Sequence, residues 1–481
     1  MSANLFDDPH FNPTDGPMEP PEADPGVKDD VDPPNPVLPS PPNHSGQVRM
    51  AYWLAAAYEH RLLHVHGIGW HRWDGARWAV DDGEGYAKRA VLSVLRSALA
   101  ESLADVQLRE DVRKCESHNG IQGVLGIAAA LEPFAVTVAG IDADPYLVNC
   151  ANGTLDLRTM ELRPHDPADR ITKVARAAYG PVRSGMWSSH IERVLPDEPV
   201  RAYLQRLIGV ALLGRVTEHV LPILTGTGAN GKGTTYKAVC WALGDYASTA
   251  EPDLFMHREG AHPTGEMDLM GRRLIVVSES DEGRRLAEAT MKRLTGGDTI
   301  RARRMRRDFV EFEPSHMPLL ITNHLPKVSG DDPAVWRRIR VIPFDVTIPE
   351  ADRDSDLEER LQADADAVLS WAVAGWRSYR ALGALSEPDA VLARTADYQK
   401  ASDAVGRFLA EMCVTGSPVV KATTAQLFSA WEKWRVADGA EMVSQKAFGQ
   451  ALDRLGYPAS NPVQGKRWRS GIGLIGGDSD G

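Results

Sequence analysis

The stretch from Leu221 to Gly244, LPILTGTGANGKGTTYKAVCWALG, constrains this chain more than any other. An apolar run suited to a buried strand, Leu221 to Thr225, passes into Gly226, Gly228, Gly231 and Gly233, with Lys232 as the only charge among them. From Thr234 to Leu243 the pattern is helical, and it stops at Gly244. The order G-x-x-x-x-G-K between strand and helix predicts a loop whose backbone N–H groups wrap a polyphosphate while the lysine reaches its terminal oxygens. A phosphate at that helix start meets unpaired N–H groups and the positive end of the helix dipole. The expected binding segment for ATP is therefore Gly226, Thr227, Gly228, Ala229, Asn230, Gly231, Lys232, Gly233, Thr234 and Thr235. Gly233 follows the lysine where a hydroxyl residue is usual, so the hydroxyl for Mg2+ is assigned to Thr234.

Residues able to split a nucleotide are expected at the C-terminal ends of neighbouring strands, where ligands bind in open α/β sheets. Leu274 to Val277 in GRRLIVVSESDEG reads as a buried strand that delivers Ser278, Glu279 and Asp281 to such an end. A carboxylate there can hold Mg2+ and polarise water, with Glu279 the first choice and Asp281 or Glu282 in support. The next strand-like run, HMPLLITNHLP, ends in Asn323, whose amide can orient the attacking water or sense the terminal phosphate. Pro318 inside that run is awkward for a central strand and must lie at its first residues or at a bulge. Between the two strands lies a predicted hairpin with five arginines, Arg301, Arg303, Arg304, Arg306 and Arg307. Such a cluster is a solvated face or a grip on DNA phosphates, and its place inside a phosphate-loop core favours DNA. In DDPAVWRRIRVIPF, Arg337, Arg338 and Arg340 stand beside a strand, where an arginine can stabilise charge on a transferred phosphoryl group from a neighbouring subunit; Arg338 is the first choice and Arg337 the second.

The net charge of −12 argues against nucleic acid only until it is divided. Residues 1–46 hold nine Asp/Glu against Lys28, a net −8, which leaves −4 for the rest. The same segment carries 12 of the 32 prolines and almost no large apolar residues, and is expected to be a disordered acidic tail. The start of the chain has neither a basic nor a long apolar segment, and no apolar run is long enough to span a bilayer, so a cytoplasmic protein with no membrane partner is expected. Cys115, Cys150, Cys240 and Cys413 lie far apart and are expected to be reduced, buried thiols. His64, His66, His71 and His165 lack a regular ligand spacing and are expected to be structural or exposed.

The expected organisation is an α/β protein: a phosphate-loop core with a parallel sheet, preceded by a small α+β domain and followed by a winged helix. Residues 47–180 form the first domain, with turns at Asp74-Gly75 and Asn152-Gly153 and with Trp70, Trp73 and Trp78 used for packing. Residues 181–345 form the core, 346–403 helices that pack on it, 404–475 the C-terminal domain, and 476–481 a tail. In that C-terminal domain, helices at Thr424 to Trp434 and Ser444 to Leu455 precede the basic GKRWRSGIGL, where Lys466 and Arg467 are candidate DNA contacts.

Taken together, GTGANGKGT, VVSES, KRLTGGD with its arginine hairpin, ITNHLP and WRRIRVIPF resemble the superfamily 3 helicases of the phage and plasmid primase-helicase type, related to poxvirus primase-helicases. NGTLDLRTMELRPHDP resembles the domain that precedes the motor in that family, so the likeness covers about residues 50–345. The resemblance implies an AAA+-like ATPase core, a homo-hexameric ring on single-stranded and forked DNA in a bacterial host cell, and Lys292 as a further DNA contact. It also implies a replicative role, with a separate primase or another replisome protein as a candidate partner. Two departures stand out. Residues 1–46 cannot hold a primase domain, so priming by this chain is not expected, and Ser280 stands where some relatives carry a second acidic residue. An ATP-switched replication initiator without motor activity and a small-molecule kinase are the alternative readings.

Overall fold

The computed structural model describes residues 44–181, 185–256, 263–279, 282–303, 309–328, 332–440, 442–461 and 467–475. The acidic segment expected to be disordered, residues 1–43 of it, and the short tail at 476–481 lie outside the described residues. The chain divides into two compact units, the first ending at Ala135 and the second carrying almost everything after it. Residues 136–180, expected with the first domain, belong to the second.

The first unit is held by four helices, Gly46–Tyr58, Gly85–Glu101, Val106–Cys115 and His118–Ala128. Their shared core is built from Met50, Trp53, Leu54, Val91, Val94, Val112, Val124 and Phe134. Trp70 lies inside it, edge-on to Phe134 and His64. In the second unit Trp78 is buried with its indole N–H donated to the Pro167 carbonyl at 2.9 Å. Both tryptophans are thus packing residues.

The second unit is organised by a parallel sheet of β1 (Leu221–Thr225), β2 (Ala247–Ala250), β3 (Leu274–Glu279), β6 (Met317–Thr322) and β7 (Ile339–Pro343). A short antiparallel hairpin, β4 (Ile300–Ala302) and β5 (Val310–Phe312), comes between β3 and β6 in the chain. The spatial order of the five parallel strands is β7-β1-β6-β3-β2. Parallel strands covered on both faces read as near-continuous apolar runs, which is how these segments look in the sequence. Alternate residues feed two separate cores. Leu224, Leu274, Val276, Leu319, Ile321 and Ile342 enter one cluster, and Ile223, Ile275, Val277, Leu320, Ile339 and Val341 the other. Pro318 is the second residue of β6 and pairs only with Ile275 of β3, because pairing with β1 begins at Leu320. Its missing N–H therefore falls where the ladder is one-sided, as the sequence requires.

Residues 136–180 join this unit through the antiparallel strands Leu147–Cys150, Gly153–Asp156 and Glu161–Arg163. Val148, Cys150, Leu155 and Leu157 lie in the same apolar cluster as the sheet, and the Asn149 amide N–H donates to the Tyr246 hydroxyl at 3.0 Å. Beyond the sheet, helices Leu357–Ala363, Ala365–Leu382 and Asp389–Ser402 occupy the region expected to be helical.

The C-terminal part has its own small core of Phe408, Leu427, Trp431, Phe448, Leu452 and Ile472. Helix Thr424–Asp438 starts on a capping box made by Thr423 and Gln426, and helix Gln445–Arg454 on the Ser444 hydroxyl. The two terminal strands, Trp468–Ser470 and Ile472–Leu474, do not pair with each other as a simple hairpin. They pair with Lys421–Thr423 and Cys413–Thr415, strands that precede the helices. The ribbon leading to the basic tip is closed by an Ala459–Arg469 bridge and by the Ser460 N–H donating to the Trp468 carbonyl at 2.8 Å. Lys466 at that tip lies outside the described residues, and Arg467 is exposed.

The cysteines are free, with Cys115, Cys150 and Cys413 buried and Cys240 half-buried. Among the described residues no cluster of His, Cys, Asp and Glu could hold a metal ion, and no helix is long and apolar enough to cross a membrane.

Two buried histidines make acid sensitivity a testable property of the second unit. His316 is 3% exposed with neither ring nitrogen bonded among the described residues, and burial pushes it down to about 4. Burial, then the nearby Arg193, push His190 down to about 4 as well. The unfolded chain takes up these protons near the ordinary histidine value of 6.5, so stability is full above that pH and falls as the pH drops toward 4. Lowering the pH from 7 to 5 is expected to cost about 2 kcal/mol per histidine. The urea midpoint at the two pH values checks this, and His316→Leu should remove about half of the drop. An undiminished drop in that variant contradicts the assignment.

Candidate phosphate-binding site

The strand ends build the site. Thr225, Thr322 and Glu279 lie in register across β1, β6 and β3, so the phosphate loop, Asn323 and the acidic strand end leave the sheet at one level. The loop then turns into the helix α2 (Lys232–Leu243). Gly228, Ala229 and Gly231 have φ of 99°, 48° and 79°, the left-handed geometry that turns successive N–H groups toward one concavity. Gly226 is fixed for a different reason, since a Cβ there would stand 2.3 Å from the Phe344 carbonyl oxygen. At Gly231 a Cβ would meet Val194 at 2.4 Å. Gly228 and Gly233 have no neighbour within 4 Å of the corresponding position, so one side of the loop is open.

Lys232 joins two of the motifs. It is 4% exposed, and its Nζ donates to the Gly226 carbonyl at 2.8 Å, to Asn230 Oδ1 at 3.2 Å and to Asn323 Oδ1 at 3.1 Å. Burial holds its pKa below the usual lysine range. Asn230 is itself pinned, donating from Nδ2 to the Phe344 carbonyl at 3.1 Å. This arrangement suits a polyphosphate: a cradle closed to side chains at Gly226 and Gly231, open at Gly228 and Gly233, with an ammonium group at its floor.

The two threonines after the lysine separate in role. Thr234 is half-buried in the first turn of α2. Thr235, expected among the ligand contacts, is 3% exposed, and its hydroxyl bonds the Gly231 carbonyl at 2.8 Å and His190 Nε2 at 2.9 Å. It braces the loop from behind. His190 and Val194 belong to helix α1 (Met186–Val194), which lies under the loop, and neither stands out in the sequence. A lone histidine on an amphipathic helix carries no signal of a partner 45 residues away.

For Mg2+ the described residues supply the Thr234 hydroxyl and the position of Glu279 at the end of β3. The Glu279 side chain, Ser280 and Asp281 lie outside the described residues.

The arginines sort by burial. Arg338 is 8% exposed, donating from Nε to Thr295 Oγ1 at 3.2 Å and from Nη1 to the Ala334 carbonyl at 2.7 Å. Thr295 belongs to helix α3 (Glu288–Gly296), so Arg338 ties the KRLTGGD motif to the start of β7. Its guanidinium is thus engaged inside its own chain. Arg340 is likewise engaged, with Glu387 at 2.9 Å. Arg337 is exposed.

The expected hairpin is present. Ile300, Ala302, Val310 and Phe312 form its buried side, while Arg301 and Arg303 are exposed. Arg304, Arg306 and Arg307 lie outside the described residues. Lys292, on α3, pairs with Asp332, and that contact holds the Asp332 carboxyl below the usual range.

Two family models match the chain: one described as D5 N terminal like over residues 51–197, and a family of unknown function (DUF5906) over residues 224–338. Relatives named "Putative helicase" include one from Acanthamoeba polyphaga mimivirus, 26% identical over 64% of this chain and 35% of that protein. Another, from Frog virus 3, is 25% identical over 64% of this chain and 33% of that protein. A "Putative primase" of African swine fever virus is 22% identical over 46% of this chain and 24% of its own length. The chain thus spans about a third of the length of the first of these relatives. The apo C-terminal region of NrS-1 aligns over 62% of this chain and 77% of that one, at 9% identity and a TM-score of 0.38. The first model lies over residues 51–197 and the second over the loop and strands that form the phosphate site, and with relatives named as viral helicases and primases the chain is similar to the D5-like primase-helicases, consistent with the superfamily 3 type that its motifs resemble.

Proposed function

We propose that this chain is an ATP-dependent replicative DNA helicase of a phage- or plasmid-like element, built on an AAA+-like core and working as a ring on single-stranded DNA. The observation that carries the reading is the reach of Lys232 from the phosphate loop to Asn323 on the neighbouring strand end. A lysine held this way meets the terminal phosphates of ATP while the amide beside it registers whether they are present. Thr234 and Glu279 are assigned to Mg2+, which would neutralise charge building on the phosphates. Asp281 is kept as a supporting ligand.

Arg337 is the residue proposed to act on a neighbouring subunit's nucleotide, in place of Arg338. The arginine hairpin and Arg467 are proposed to face DNA. The C-terminal part, with its capped helices and strand-closed ribbon, is proposed as a winged helix.

The test is ATP hydrolysis by the purified protein with and without single-stranded DNA, followed by strand displacement on a forked duplex. Hydrolysis stimulated by DNA together with displacement supports the motor. Stimulation absent while a small-molecule acceptor is phosphorylated supports a kinase, and DNA binding without displacement supports an initiator. Primer synthesis with the four ribonucleoside triphosphates is the separate check on the expectation that this chain does not prime.

A further inference from the structure

The outer face of the β4–β5 hairpin breaks its own pattern. The inner residues Ile300, Ala302, Val310 and Phe312 are at most 7% exposed, so strand alternation turns Arg301, Arg303, Phe309 and Glu311 to the other side. On a face that meets solvent, a polar residue is the expected choice at each of these positions. Position 309 is instead a phenylalanine, 45% exposed. Just beyond the pairs Arg301↔Glu311 and Ala302↔Val310, Arg303 and Arg301 both reach the Phe309 ring. Their guanidinium carbons stand 4.7 Å and 4.8 Å from the ring centroid.

A ring kept exposed beside two cations fits a ligand with a flat apolar face and an anionic backbone. An unpaired nucleobase on its phosphodiester strand has both, whereas the bases of a duplex already have their faces stacked on each other. We propose that Phe309, with Arg301 and Arg303, is a stacking platform for one unpaired base of single-stranded DNA, the arginines taking the flanking phosphates. This rests on the single-stranded DNA reading above. It adds an attraction that does not depend on charge, and so one that salt does not screen.

The test uses the full-length protein and fluorescence anisotropy with labelled oligothymidylate, and with an abasic strand of equal length, across a sodium chloride series. Phe309→Ala should weaken oligothymidylate binding by about 5- to 100-fold without changing the slope of log K against log salt. Phe309→Trp should retain binding, and Phe309→Leu, apolar but not flat, should lose most of it. Arg301→Ala with Arg303→Ala should flatten the slope by about 0.7 for each phosphate no longer held. On the abasic strand, wild type and Phe309→Ala should bind alike. Equal binding of wild type and Phe309→Ala to oligothymidylate overturns the platform, as does a deficit of the same size on the abasic strand. If wild type binds neither strand, the single-stranded DNA reading fails and the platform with it. Because Phe309 lies on the exposed face, unchanged melting of all three variants is expected, and Phe309→Trp keeps the test decisive if the alanine variant does not fold.

Discussion

Lys232→Ala is expected to lower ATP hydrolysis by a factor on the order of 10³ or more, with little change in melting temperature, since charge aimed at the reacting phosphates does much of the work of catalysis in such sites. The reason lies in what the side chain touches. Its ammonium group is almost enclosed, and its bonds go to the Gly226 carbonyl, Asn230 Oδ1 and Asn323 Oδ1 rather than to any apolar neighbour. Removing it leaves these acceptors without their donor but also relieves the cost of burying a charge, which already lowers its pKa. These effects oppose each other, so the net change in stability stays near about 1 kcal/mol, typical of a net hydrogen bond. Turnover has no such compensation. The check is steady-state hydrolysis and thermal melting on the same preparations, with Asn323→Ala alongside. That second variant should bind ATP and hydrolyse it slowly while Lys232 keeps its loop partners. Near-normal turnover of Lys232→Ala would remove the basis for the phosphate site.

The loop was legible in the sequence because backbone rules dictate it. Gly226 and Gly231 are positions where a Cβ collides with fixed atoms, and no residue but glycine answers both. Asn323 was legible too, since a polar residue at the end of an apolar run marks a strand end facing the loop. The sequence is silent where a long-range partner decides. WRRIR offers arginines at 337, 338 and 340, and nothing local says that Arg338 turns inward to Thr295, 43 residues upstream. Thr235 looked like a ligand contact beside Thr234, yet His190 and Gly231 claim its hydroxyl. The first compact unit ends at Ala135 rather than near residue 180 for a related reason. Asp74-Gly75 and Asn152-Gly153 are similar turn signals, but the strands around the second pack into the sheet core through Val148 and Leu155. The added pairing of the C-terminal strands with Lys421–Thr423 and Cys413–Thr415 was not legible, because those partners lie ahead of the helices in the chain.

The choice of Arg337 over Arg338 can be tested together with the ring. Arg338→Ala should behave as a structural variant, because it strips a donor from the buried Thr295 hydroxyl and from the partly buried Ala334 carbonyl. A loss of roughly 1–3 kcal/mol of stability is expected. Arg337→Ala should melt like wild type, bind ATP normally and hydrolyse it more slowly, by a factor that approaches ~10³. If that arginine acts on the next subunit's nucleotide, each active site needs a loop from one copy and an arginine from another. Mixing Arg337→Ala with Lys232→Ala then creates some interfaces with an intact loop on one side and an intact arginine on the other. Activity should return on mixing, well above either variant alone, while mixing Arg337→Ala with itself at the same total concentration returns none. If mixed oligomers form and activity does not recover, Arg337 works within its own chain, and the proposal of a ring with shared sites loses its support. If Arg337→Ala instead melts early and Arg338→Ala melts like wild type but turns over slowly, the assignment by burial is reversed.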